Sequence, residues 1–181
     1  ENKSGRQALL AETVIDASGD ADVAARAGAP YRMEPKERLM AVTVGFGLSG
    51  VDTEKFWSHV TQAPSRISDW APDSSEKEAG LFTTYFKGVF DRARTDGVIP
   101  NDAPLDGYWD AITEEGDARG LNVVRVFGVD PTDAWDLTRA EIEGRRQVRW
   151  AIEALRAYHP GFEKARLRGI GSSIGTRESR K

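Results

Sequence analysis

Residues 14–31 read VIDASGDADVAARAGAPY, and the order of residue types in this stretch decides the fold. Glu12-Thr13-Val14-Ile15-Asp16 is a short β-rich run, and Ser18-Gly19-Asp20 breaks it. Asp20 predicts an N-cap for a brief helix, Ala21 to Ala27, whose end is marked by Gly28 and Pro30. A strand that ends in small residues lets another group approach its backbone closely. A helix N-terminus directly behind it offers amides without intrahelical partners. Asp20 and Asp22 offset that positive end, so the turn suits hydroxyls or an amide ring edge better than phosphate. The same residues also read as an ordinary capped strand-to-helix turn. A Ca²⁺ loop is a poorer reading, because the ligand spacing and the closing bidentate Glu are missing.

Working outward, Asn2-Lys3-Ser4-Gly5 is a turn cluster that leads through Gln7 to Ala11 into the strand, which predicts a hairpin arm. Downstream, Leu39 to Phe46 reads as a second strand, and Asp52 or Thr53 caps a helix reaching about Val60. Residues 61–73 read as a loop. Ser75 and Glu78 form a capping-box pattern, behind which Phe82, Tyr85, Phe86, Val89, Phe90 and Ala93 recur at helical spacing until Gly97. Residues 97–107 are turn-rich, and Leu121 to Val129 alternates like a strand with Asn122 near its start. Thr138 with Glu141 predicts a capped helix, stapled by Leu137 and Ile142. Val148, Ala151, Ile152 and Leu155 continue its apolar face, and Pro160 ends it near His159. Leu167 to Ile174 reads as extended.

Composition closes off several classes of function. Hydrophobic residues are 39% and charged residues 30% of 181, as in globular chains, and no apolar run approaches a bilayer span. A net charge of -4 opposes a phosphate backbone, so neither nucleic acid nor membrane is an expected partner. There is no Cys and there are only two His, which excludes disulfides, thiolate catalysis and a Cys- or His-rich metal centre. The chain opens without Met or a secretory signal and closes within Arg177-Glu178-Ser179-Arg180-Lys181, so both ends read as cuts and the expected location is cytoplasmic.

Gly45-Phe46-Gly47-Leu48-Ser49-Gly50 matches a dinucleotide glycine pattern literally. In a working fingerprint, however, the helix begins inside the motif so that its amides face the pyrophosphate. Here the helix signal comes only after the last glycine, so a strand exit shaped for turning or close packing is the better reading. His159 reads as a residue bonded to terminal carbonyls more readily than as an acid or base. Asn122 could bond substrate or hold a strand end.

Several stretches, in order, carry a resemblance. Val14 to Tyr31 resembles the "IDATGDGDVAxxAGAP" stretch of FAD-dependent oxidoreductases related to the fumarate-reductase-like flavoproteins, with Ser18 at a Thr position. Leu39 to Asp52 is similar to that family's "TLMFRLGGVD" strand, and Asn122 to Gln147 to its "NxxRVxGxD … DLTxAEIExRRQ" segment. Pro160 to Glu163 and Ile174 to Arg180 resemble its "PGFE" and "GxRESRR" motifs. Roughly two-thirds of the chain is covered, and ordered multiple motifs are far more specific than one. The stretch from His59 to Ala118 matches weakly, as the variable part of a substrate-covering domain.

The resemblance implies an α+β internal piece of a flavin enzyme. Residues 1–31 and 169–181 would belong to a FAD-binding, Rossmann-like domain, and 32–168 to an inserted substrate or cap domain of strands and helices. The βαβ unit bearing the family's own glycine fingerprint is absent, so the piece alone is expected to be colourless and inactive. FAD is the implied cofactor. Ala17, Ser18, Gly19 and Asp20 would line it, with Glu178 beside it. Arg177 and Arg180 would be the catalytic cations, because flavin chemistry on a polar substrate needs positive charge where negative charge develops. An exposed pair with Glu178 is the plainer reading of those arginines. The implied partners are a small-molecule substrate and the remainder of the flavin domain. The rival reading is a non-enzymatic binding module, with the aromatic helix and five Trp as a recognition surface.

Overall fold

A computed structural model describes residues 3–62, 84–107 and 111–181. The fold is α+β. Four short strands form one antiparallel sheet: β1 is Phe46–Ser49, β2 Ala111–Ile112, β3 Ala118–Leu121 and β4 Arg166–Ile170, in the order β2-β3-β1-β4. The helices are α1 Asp22–Arg26, α2 Thr53–Gln62, α3 Thr84–Thr95 and α4 Ala134–Tyr158. No helix among the described residues is long and apolar enough to cross a membrane.

The core forms because alternate side chains of the central segment, Val42, Val44, Phe46 and Leu48, are all buried. α4 brings Ala140, Gly144, Val148, Ala151 and Leu155 to that layer at intervals of three and four. A Cβ on Gly144 would collide with the Val44 side chain, so glycine sets how closely helix and sheet approach. At the other end Phe56, Phe86, Phe90 and Phe162 close the core. Burying one such side chain stabilises by roughly 1.5–3 kcal/mol.

The aromatic periodicity of α3 is borne out for Phe86, Val89, Phe90 and Ala93. That face is interior, and so is no recognition surface. The 63–73 stretch, Ser75, Glu78, Phe82, Trp70 and Trp109 lie outside the described residues. Asp52 caps α2, since its Oδ1 accepts from the Lys55 amide at 3.0 Å. α4 ends at His159, before Pro160, as expected.

Four expectations are corrected. Residues 12–16 form no strand: Leu9, Leu10, Val14 and Ile15 are 92, 99, 70 and 87% exposed, and a strand without a ladder partner has nothing to hold it. The strand expected at Leu39 to Phe46 lies at Phe46–Ser49, with only single bridges from Val42 to Val126 and Thr43 to Gly175 before it. The glycine pattern is therefore largely β1 itself. The strand expected at Leu121 to Val129 is displaced to Ala118–Leu121. α4 starts before Thr138, because Asp133 Oδ1 accepts from the Trp135 and Asp136 amides at 2.8 and 2.9 Å. Thr138 instead donates to the Ala134 carbonyl, and Glu141 accepts from the Ile174 amide at 2.6 Å.

Candidate functional site

The turn after Ile15 is shaped by Asp16. Its Oδ1 accepts from the Ser18 amide at 2.9 Å and its Oδ2 from the Ala24 amide at 2.8 Å. Ser18 Oγ accepts from the Asp22 amide at 3.0 Å. The Ala24 amide first, then Ser18, hold the Asp16 carboxyl at a pKa of about 2, well below 3.8. The expected cap by Asp20 is thus corrected: the residue before α1 is Ala21, with no side-chain cap, and Asp16 and Ser18 satisfy the first amides instead. Asp-x-Ser is an Asx-turn signal, so Asp16 was findable in the sequence. The Gly19 and Asp20 amides have no acceptor among the described residues, and Gly19, at φ 88°, has open space where a Cβ would lie.

A distant segment closes on this turn. Ser179 Oγ donates to Asp20 Oδ1 at 2.6 Å. Arg180 Nη1 donates to the Asp20 carbonyl at 2.9 Å and to Asp22 Oδ1 at 2.6 Å, and its guanidinium lies 5.4 Å from the Tyr31 ring centre. Arg32 and Lys181 exchange two backbone bonds of 2.7 Å. Glu178 accepts from the Met40 amide at 3.2 Å and pairs with Lys181 Nζ at 3.0 Å. Ser18, Gly19, Asp20 and Arg180 therefore come together, with Ala17 leading into the turn. Glu178 sits beside them and Arg177 is exposed on the approach. Sequence reasoning missed Asp22 and Ser179, whose roles exist only once residues about 160 apart in the chain meet.

The segment leading to Arg177 runs along the one before β1, joined to it by a single bridge. Thr43 and Gly175 exchange backbone bonds of 3.1 and 2.7 Å. Thr43 Oγ1 donates to Asn122 Oδ1 at 2.8 Å, which leaves the Asn122 amide as a donor. Thr43 was also missed. Gly47 stands opposite Gly169, and Gly171 donates to the Gly45 carbonyl, so neighbouring strands present backbone without side chains. Gly45 and Gly169 have no positive φ, and a Cβ on either meets nothing within 4 Å.

His159 belongs elsewhere. Its ring lies 5.4, 5.3 and 5.0 Å from those of Phe56, Phe86 and Phe162, and 5.2 Å from that of His59. Nδ1 is 2.8 Å from the carbonyl of Pro160, not from those of the last helical turn. Nε2 is buried without a partner among the described residues. Burial pushes its pKa down to about 4, so at neutral pH it is an uncharged core residue.

No group of three or more potential metal ligands occurs among the described residues. A family model described as FAD dependent oxidoreductase matches residues 1–181. No curated protein and no solved structure matches the chain.

Proposed function

The chain belongs to the FAD-dependent oxidoreductase family, whose cofactor is FAD, and from that premise we propose that it supplies the flavin-contacting turn and the substrate-facing sheet of an enzyme acting on a small polar substrate. The observation that carries the reading is the meeting of residues 16–22 with 178–181. These are two of the stretches that resemble flavoprotein motifs, and they build one surface.

The turn fits the cofactor. Its Gly19 and Asp20 amides have no acceptor among the described residues, and no side chain stands over Gly19. Ala17, Ser18 and Gly19 would lie along FAD by main chain, with Asp20 held in place by Ser179 and Glu178 by the Met40 amide. FAD, when bound, supplies the electron or hydride transfer. Arg177 would place permanent positive charge beside the substrate or ring. The side-chain-free strip at Gly45, Gly47 and Gly169 would let a planar group approach the sheet, and the Asn122 amide would orient a substrate oxygen. In this reading residues 1–31 and 169–181 are parts of a Rossmann-like flavin domain, and 32–168 cover the ring and keep water out.

The test is to express the whole protein as encoded and record its visible spectrum. One FAD per chain, and its loss of colour under a reductant with return in air, are expected. A protein that stays flavin-free in excess FAD sinks the reading.

A further inference from the structure

We propose that Arg180 is a positioning residue, which holds the Asp16–Asp22 turn in the shape that accepts FAD and does not itself touch the reacting atoms. The inference rests on the flavin reading above. Arg180 is 14% exposed in its side chain, and its Nη1 bridges the Asp20 carbonyl and the Asp22 carboxylate. The guanidinium also lies over the Tyr31 ring. Between the two bridged residues sits Ala21, at φ 53° and ψ 37°. This is the left-handed region, where a Cβ crowds the following carbonyl. Ala21 is the one described residue other than glycine with positive φ.

Such a conformation persists only where its surroundings over-determine it. Arg180 grips the chain on both sides of Ala21, and Ser179 fastens the Asp20 side chain. Asp16 and Ser18 hold the turn from within. The Gly19 and Asp20 amides, which would face FAD, are thereby set in direction. A guanidinium committed to two acceptors and a ring face is not free to follow charge on a substrate.

The experiment uses the whole protein as encoded, stripped of FAD and titrated back. Arg180→Gln should weaken FAD binding roughly tenfold, the scale of a lost charge-assisted bond, while the midpoint potential of bound flavin stays unchanged. Adding Ala21→Gly, which takes the left-handed conformation without strain, should restore much of that affinity. A merely structural or a catalytic Arg180 gives no such rescue. Equal affinity in wild type and Arg180→Gln overturns the proposal. So does a shifted potential, or a loss that Ala21→Gly does not repair. If Arg180→Gln does not fold, Asp22→Ala removes the same bond from the other side and is read by the same criteria. Wild-type protein that takes up no FAD defeats the flavin reading itself, which separates that failure from failure of the clasp.

Discussion

In the sheet-and-helix body, Val44, Leu48, Phe56, Phe86, Leu121 and Leu155 are fully or almost fully buried, whereas α1 buries no residue and its surroundings are joined by charge-assisted bonds. The body is held by apolar area and by the close approach at Gly144. The clasp is held by polar and charged groups, Asp16, Asp20, Asp22, Ser179 and Arg180, of which Ser179 alone is buried. The first kind of order needs only the chain, since burial accumulates over many residues. The second kind contributes little on its own and is stabilised by anything that binds the turn in its present shape. Stability and cofactor binding should therefore come apart under mutation.

The largest expected effect lies in the body. Phe86→Ala empties a fully buried site against Phe90, His159 and Phe162, and should destabilise by about 3–5 kcal/mol. Urea unfolding measures it. FAD affinity of the molecules that remain folded should not change. A loss of affinity in step with stability would merge the two regions and break the comparison.

His159 sharpens the same contrast by pH. Its pKa falls from 6.5 to about 4 in the folded chain, chiefly by burial, with His59 lowering it further and Glu163 and the Pro160 carbonyl opposing. The unfolded chain therefore takes up a proton before the folded one does. Stability is complete above pH 6.5 and falls as pH drops towards 4, by as much as about 3 kcal/mol. Lowered carboxyl groups such as Glu163 add their own slope below their ordinary range, so the window for His159 is about pH 4.5 to 6.5. His159→Leu should flatten stability across that window, and an unchanged slope there would show that another group titrates.

What the sequence made legible follows the same division. The inner faces of α3 and α4, the Asp52 cap and the Pro160 stop rest on neighbours within a few residues, and they were readable. The start of α4 was misread because Thr138 and Glu141 match a local capping pattern, while Glu141 is taken by the Ile174 amide 33 residues on. The strand expected at 12–16 was misread because residue types signal β structure but a ladder needs a partner. In the clasp, Ser18, Asp20 and Arg180 were singled out through motif resemblance, and the structure brings them together. Asp22, Ser179 and Thr43 were not singled out, since each acts through a contact between distant segments.

The smallest effect on stability, and the most telling, is expected at Asp16. The carboxylate accepts two amide protons, and an Asn side chain can accept only one while turning an NH₂ towards the other. Asp16→Asn should loosen the turn without touching any buried residue, so the urea midpoint should move little while FAD affinity falls several-fold. Acid should imitate the mutation. With a folded pKa of about 2 against an ordinary 3.8, the bonds of the Asp16 carboxylate are intact above about pH 4 and are lost as pH falls towards 2. That range lies below the His159 window, so flavin release from the turn and loosening of the aromatic core should occur at separate pH values. Coincidence of the two transitions, followed by flavin fluorescence and far-UV dichroism on one sample, would mean that clasp and body unfold as one unit.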